Sequence, residues 1–185
     1  MPMEITISDE IILRTLQESH AEELFSLVDR NRAHLRAWLP WLDVTRSSAD
    51  SVSFIRAQTS NAAREEEVPF GIFYRERLAG VVGYNWISSE TRSCGLGYWL
   101  TETLQGQGIA TRAVRALIRH AFESMGLRSV EIHVAVDNVR SRAVARRLGF
   151  RQRGVRAQAE WLYDHHVDHV MYGLDTDDAA QFDEL

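Results

Sequence analysis

Apolar and small residues alternate from Cys94 to Leu100: Cys94, Leu96, Tyr98 and Leu100 share one face, and Gly95, Gly97 and Trp99 the other. A period of two predicts a strand. The period then lengthens. Ala110, Ala113, Val114, Leu117, Ile118, Ala121 and Phe122 recur at helical spacing, which predicts an amphipathic helix stopped by Gly126. Ile11–Arg14 predicts a first strand, and Phe70–Tyr74 with Leu78–Ile87 a hairpin turning at Arg75-Glu76-Arg77. Val130, Ile132, Val134 and Val136 alternate as another strand, and Phe150–Arg153 and Val167–Leu174 complete the β-structure. Ser19 and Glu22 form a capping box for a helix that turns Ala21, Leu24, Phe25 and Val28 inward. A second helix starts near Ser47 or Ser48 and runs to about Arg64, and a short one spans Ser141–Leu148 before Gly149. Between the first two helices lies an aromatic stretch, Arg32–Leu42, ending in a proline break. The order is β-α-α-β-β-β-α-β-α-β-β, a mixed α/β (α+β) pattern.

Bulk properties narrow the setting. The 185 residues suit one domain with a sizeable core. No apolar run approaches the roughly 18 residues of a membrane span. The start, MPMEITISDE, has neither a basic region nor an apolar core, so no secretory signal is expected. The single cysteine allows no internal disulfide, and these features together favour the cytoplasm. The 21 basic residues are all arginine, against 26 acidic ones. Asp175, Asp177, Asp178, Asp183 and Glu184 carry the excess, so 175–185 is read as a frayed acidic tail on a neutral body, residues 1–174. A neutral body with no recognition motif disfavours nucleic-acid binding. Arg140, Arg142, Arg146, Arg147, Arg151, Arg153 and Arg156 crowd the C-terminal third. They form either a solvated surface or a positive rim for phosphates or an acidic substrate.

The densest chemistry lies at the strand-to-helix turn, Gln105-Gly106-Gln107-Gly108-Ile109-Ala110. Glycines there let backbone N–H groups approach an anion, and the helix start adds unpaired donors and the positive end of its dipole. A P-loop requires a lysine, and the chain has none. A dinucleotide fingerprint requires a third small residue where Thr111 stands, and Glu131, the candidate acidic partner, falls in mid-strand. The spacing that fits is Q/R-x-x-G-x-G/A, on Gln105, Gly108 and Ala110.

That loop resembles the acetyl-CoA pyrophosphate loop of the GNAT N-acetyltransferases, and the element order matches their fold over nearly the whole chain. The stretch Arg32–Trp41, Gly97-Tyr98-Trp99-Leu100, Asp137-Asn138 with Ser141, Arg147-Leu148-Gly149-Phe150 and Gln158-Ala159-Glu160 resemble the RimJ/RimL branch, which acetylates ribosomal-protein N-termini. The resemblance implies a mixed, mostly antiparallel sheet of six to seven strands, splayed between the fourth and fifth and flanked by about four helices. It implies acetyl-CoA as co-substrate, with the pantetheine arm in the splay against Trp99, Leu100 and Thr101. The N–H groups of Gly106, Gln107, Gly108, Ile109, Ala110 and Thr111 would hold the pyrophosphate, and a backbone N–H near Leu100 the thioester oxygen.

The resemblance also implies the reacting groups. Ser141 would protonate the departing thiolate; on residue type alone it is equally an N-cap. Asn138 would bond the pantetheine, or simply form the turn. Glu160 would take the amine proton, its carboxyl raised by an apolar surround from Ala159 and Trp161; Glu102 is the alternative base. Trp38 and Trp41 would wall the acceptor site or anchor the core. Cys94, on a strand face, is expected to be a core thiol. His165, His166 and His169 lie outside any helical ligand spacing, and no metal is expected. The acceptor is a protein N-terminus, or alternatively a small amine such as a polyamine, amino acid or aminoglycoside. A non-catalytic acyl-CoA-binding module is the reading from another class. The aromatic N-terminal third would suit a homodimer face.

Overall fold

The computed structural model describes residues 3–62 and 67–178. Eight strands form one sheet: β1 (Glu4–Ser8), β2 (Ile11–Thr15), β3 (Val68–Tyr74), β4 (Arg77–Ser88), β5 (Ser93–Leu100), β6 (Ser129–Ala135), β7 (Arg151–Leu162) and β8 (His165–Asp175). The helices are α1 (Ala21–Arg30), α2 (Arg32–Arg36), α3 (Ser48–Ala62), α4 (Ile109–Arg119) and α5 (Val139–Arg147). The strand order is β1-β2-β3-β4-β5-β6-β8-β7. Every neighbouring pair is antiparallel except β5–β6.

The sheet holds one strand more than the six to seven expected, with one extra helix. The additions are β1, whose Ile5 and Ile7 alternate on an edge, and α2, which is too short to show a period. The splay therefore falls between the fifth and sixth strands. The parallel pairing of β5 with β6 runs only through Ser93↔Ser129, Cys94↔Val130 and Gly95↔Glu131. From Leu96 to Leu100, β5 keeps β4 on one side and, among the described residues, no strand on the other.

The alternation of β5 divides the core between the two faces of the sheet. Cys94, Leu96 and Leu100 join α4 residues Ala113, Val114, Leu117 and Ile118 in one cluster, with Tyr98 packed against it. Trp99 faces the other cluster, built from α1 residues Leu24, Leu27 and Val28 with Leu35, Leu42 and Ile55. In α1, Leu27 is buried where Phe25 was expected to be, and the expected Ser19/Glu22 capping box is displaced. Ser19 lies inside a short 3-10 turn, and the Gln17 N–H donates to His20 Nδ1 (3.0 Å) instead. α3 begins as expected: Ser47 Oγ and the Ser47 N–H donate to Asp50 Oδ2 (2.9 and 2.8 Å). Its expected end, Arg64, lies outside the described residues.

Asp175 closes β8, accepts from Ser129 Oγ (2.7 Å) and pairs with Arg153; Asp178 pairs with Arg151 (2.5 Å). The start of the acidic tail is thus folded rather than frayed, and two of the clustered arginines serve it. Asp183 and Glu184 lie outside the described residues. Among the described residues no helix is long and apolar enough to cross a membrane.

Candidate active site

Past Gly95 the gap between β5 and β6 exposes one polar backbone edge of β5, which an extended amide-bearing chain could pair with. At its lower end stands the glycine loop. Gly106 (φ 77°) and Gly108 (φ 74°) are left-handed, and Gly108 caps α4. A Cβ at either would meet nothing within 4 Å, so glycine is required by backbone conformation, not crowding. The loop leaves the α4 N-terminus open to an anion.

Side chains fix this loop from both sides. Gln105 Nε2 donates to His34 Nε2 on α2 (2.7 Å), while Gln105 Oε1 accepts from Arg140 on α5. Arg147 Nη1 donates to the buried Thr111 hydroxyl (3.2 Å). Arg142 instead holds Val136 O (2.9 Å) and the Tyr172 hydroxyl (3.2 Å). The arginine cluster therefore divides: Arg140 and Arg147 reach the loop, and Arg142, Arg151 and Arg153 brace the fold.

Thr101 follows β5 and is buried. Its hydroxyl donates to Asn31 Oδ1 (2.9 Å), which also accepts the Glu102 N–H (3.0 Å); Asn31 Nδ2 donates to Leu27 O (2.8 Å). Asn31, not singled out from the sequence, thus ties the end of α1 to the start of the loop. Its one sequence signal is an asparagine at the close of an amphipathic helix. Glu102 is exposed on the 3-10 turn that follows.

Across the gap, α5 starts two residues earlier than expected, and Asn138 is its N-cap: Asn138 Oδ1 accepts the Ser141 N–H (3.1 Å). Ser141 is therefore not the cap, and its hydroxyl is free for another partner. That partner is the Tyr98 hydroxyl on β5, 2.7 Å away, which also lies 3.2 Å from Ser141 O. Burial pushes the Tyr98 phenol up to about 12; the bond to Ser141 and the nearby Arg147 charge pull the other way. The period-two pattern made Tyr98 a core residue and gave no sign of this pairing.

Glu160 lies on β7, not in a loop, and its surround is not apolar. Its carboxylate stands 3.5 Å from His169 Nε2 on β8, while the neighbouring Trp161 is 52% exposed and stacks edge-on against His166 at 4.7 Å. A bulge sets Glu160 in place: three residues of β7 lie between the pairs Arg156↔His169 and Glu160↔Val167, against one of β8. Within it Gln158 has φ 50°, and its N–H donates to Asp168 Oδ1 (2.7 Å). The three histidines are thereby dispersed: His165 pairs with Asp164, His166 with Trp161 and His169 with Glu160. Cys94 is fully buried, its thiol pushed up to about 12 by desolvation first and by Glu131 second.

The aromatic stretch closes over the opposite face. Trp41 packs against Trp99 (6.3 Å between ring centroids), and Trp38 is half-buried. The tryptophans are thus turned partly inward. Tyr163, at the tip of the β7–β8 hairpin, donates to Leu39 O (2.5 Å), accepts the Leu42 N–H (3.2 Å) and lies under the Arg36 guanidinium (3.7 Å). Arg36 in turn grips Asp43 through two bonds (3.0 and 2.9 Å). An open groove lies beside this clasp, lined by Ala33, Ala37, Leu162 and His165 among others.

A splayed strand edge that ends in an open glycine loop at a helix start suits a long, phosphate-bearing ligand. Comparison with known proteins gives the family. Residues 10–151 match the Acetyltransferase (GNAT) domain. The ribosomal-protein-serine acetyltransferase of Escherichia coli (strain K12) is 34% identical over 168 residues, covering 91% of this chain and 94% of that protein. Among solved structures, RimL, the ribosomal L7/L12 α-N-protein acetyltransferase in complex with coenzyme A, superposes with a TM-score of 0.91 at 33% identity, over 95% of this chain and 99% of that one. The microcin C7 self-immunity acetyltransferase MccE, in complex with acetyl-CoA and AMP, gives 0.89 at 33% identity, over 92% and 95%. The chain belongs to the GNAT acetyltransferase family, as an acetyl-CoA-dependent N-acetyltransferase.

Proposed function

We propose that this acetyltransferase acts on the N-terminal α-amine of a protein, with ribosomal proteins as the substrate class. The observation that carries the reading is the near full-length likeness to the Escherichia coli ribosomal-protein-serine acetyltransferase. The reading carries a cytoplasmic location, and the resulting protein partner needs neither nucleic acid nor membrane; a second copy of the chain remains a partner to test by sedimentation.

Trp99, Leu100 and Thr101 offer the open backbone edge of β5 to the pantetheine arm. The N–H groups of Gly106, Gln107, Gly108, Ile109, Ala110 and Thr111 receive the pyrophosphate, with the Gln105 side chain holding the loop in register between His34 and Arg140. Asn138 sets the start of α5, and Ser141 supplies the proton that sulfur gains. Glu160 takes the proton that nitrogen loses, directly or through a water, with His169 beside it. An α-amine is the less demanding substrate for a carboxylate base. Its pKa of about 8, against about 10.4 for lysine, leaves a usable neutral fraction near pH 7. Trp38 and Trp41 wall the acceptor side.

One observation favours a small-molecule acceptor instead: MccE, at similar identity, is a self-immunity protein solved with AMP. An acceptor panel decides between the two. Thiol release from acetyl-CoA is followed with serine-initiated peptides, spermidine, free amino acids, an aminoglycoside and an aminoacyl nucleotide analogue. Turnover on the peptides at least tenfold above every small amine is expected. A small amine that outruns all the peptides overturns the reading, and acetyl-CoA binding without thiol release on any acceptor would mark a binding module.

A further inference from the structure

Among the described residues the hydroxyl of Ser141 has one side-chain partner, Tyr98 across the gap, and none in its own helix cap, which Asn138 fills. The contact joins α5 to the stretch of β5 that has left β6, since the last β5–β6 pair is Gly95↔Glu131. Two hydroxyls 2.7 Å apart share one hydrogen. The phenol is the more acidic of the two and so the better donor; its one hydrogen has Ser141 Oγ as the nearer acceptor at 2.7 Å, with Ser141 O farther away at 3.2 Å. When it donates to Ser141 Oγ, the serine hydrogen is free to point away from Tyr98. The bond also polarises the serine O–H, because hydrogen bonds in series strengthen one another.

We propose that Tyr98 is a positioning residue for acetyl transfer: it donates to Ser141 Oγ and so aims the serine hydrogen into the β5–β6 gap, where the cofactor sulfur departs. The proposal rests on Ser141 as the acid. In that step the C–N bond to the acceptor forms and the C–S bond breaks, its electron pair staying on sulfur. Sulfur takes the Ser141 hydrogen, and nitrogen loses one to Glu160. Solvent water restores the serine hydrogen and receives the proton from Glu160, so the exchange balances. Tyr98 keeps its own proton throughout. Its phenol is held un-ionised by burial over the working pH range, which a constant donor requires.

The test compares wild type with Tyr98→Phe, Ser141→Ala and the double variant, using the amine that the wild type acetylates fastest. Ser141→Ala is expected to lower kcat by about 100-fold or more. Tyr98→Phe keeps the ring and its packing, and is expected to lower kcat about tenfold while KM for acetyl-CoA stays within about twofold. The double variant should be no slower than Ser141→Ala, because Tyr98 acts only through Ser141. Ser141→Thr, which keeps the hydroxyl, should keep the tenfold dependence on Tyr98. Multiplying losses in the double variant, or a Tyr98→Phe enzyme at wild-type kcat beside a slowed Ser141→Ala, would overturn the Tyr98 role and spare Ser141. A Ser141→Ala enzyme at the wild-type rate would remove the Ser141 reading itself. If Tyr98→Phe lowers the melting temperature, the Ser141→Thr pair measured at a lower temperature still gives the comparison.

Discussion

Asn31→Ala removes a side chain that is 8% exposed and closes three hydrogen bonds, to Thr101 Oγ1, the Glu102 N–H and Leu27 O. Glu102 lies at the surface, so its N–H finds water in the variant. Thr101 as a residue is 7% exposed and Leu27 4%, so water does not readily replace the lost amide at the other two groups. An orphaned buried polar group costs about 1–3 kcal/mol, so two make the expected loss about 2–6 kcal/mol. For a chain of this size that lowers Tm by roughly 4–24 °C. Circular dichroism melts and urea titrations read it directly. Asn31 also holds the junction from which the glycine loop starts, so KM for acetyl-CoA should rise several-fold. Asn31→Asp separates the two effects. Its oxygen still receives Thr101 and Glu102, but it faces Leu27 O with an acceptor in place of a donor. Stability should fall while KM moves less than in the alanine variant. A loss under about 1 kcal/mol in Asn31→Ala, with KM unchanged, would refute the reasoning.

Further expectations follow from single contacts. Gly108→Ala places a Cβ at φ 74° with nothing nearby to clash, so only backbone strain of about 1–2 kcal/mol acts; calorimetric titration should show acetyl-CoA affinity weakened about 5- to 30-fold. Tyr163→Phe deletes the bonds to Leu39 O and Leu42 N, and KM for the acceptor should rise while KM for acetyl-CoA holds. Cys94 should resist iodoacetamide at pH 8 in the native protein and react once denaturant is added, because it is buried and its thiol lies near 12. Asp175 is held below the usual carboxylate range, first by the Ser129 hydroxyl and then by Arg153. Its contribution is therefore present above the unfolded value of about 3.9 and is lost as pH falls through the lowered one. Asp175→Asn should accordingly flatten the acid limb of a stability–pH curve.

What the sequence made legible was whatever repeats locally. The alternation Cys94–Leu100 and the stripe from Ala110 to Ala121 place a strand and a helix, and glycines at 106 and 108 mark the left-handed turn between them. The near-continuous apolar strands β3 and β4 were equally plain. What stayed hidden depends on contacts between distant residues. Tyr98 meets Ser141 across 43 positions and Asn31 meets Thr101 across 70, and no periodicity encodes either. Short elements escaped for another reason: five residues of α2 complete barely one turn, and β1 is an edge strand with two half-buried isoleucines. The carboxyl surround of Glu160 could not be read from its neighbours either. A β7 bulge at Gln158 decides which side chain faces His169 and which, like Trp161, turns outward.

The central claim is that acetyl is delivered to an α-amine at the gap between β5 and β6. A serine-initiated peptide that also carries a lysine offers both kinds of amine in one molecule. After incubation with acetyl-CoA, fragmentation in a mass spectrometer locates the label. The account predicts one acetyl group on the serine nitrogen, lost when the Ser141→Ala enzyme is used. An acetyl group on the lysine, or equal labelling with Ser141→Ala, would contradict it.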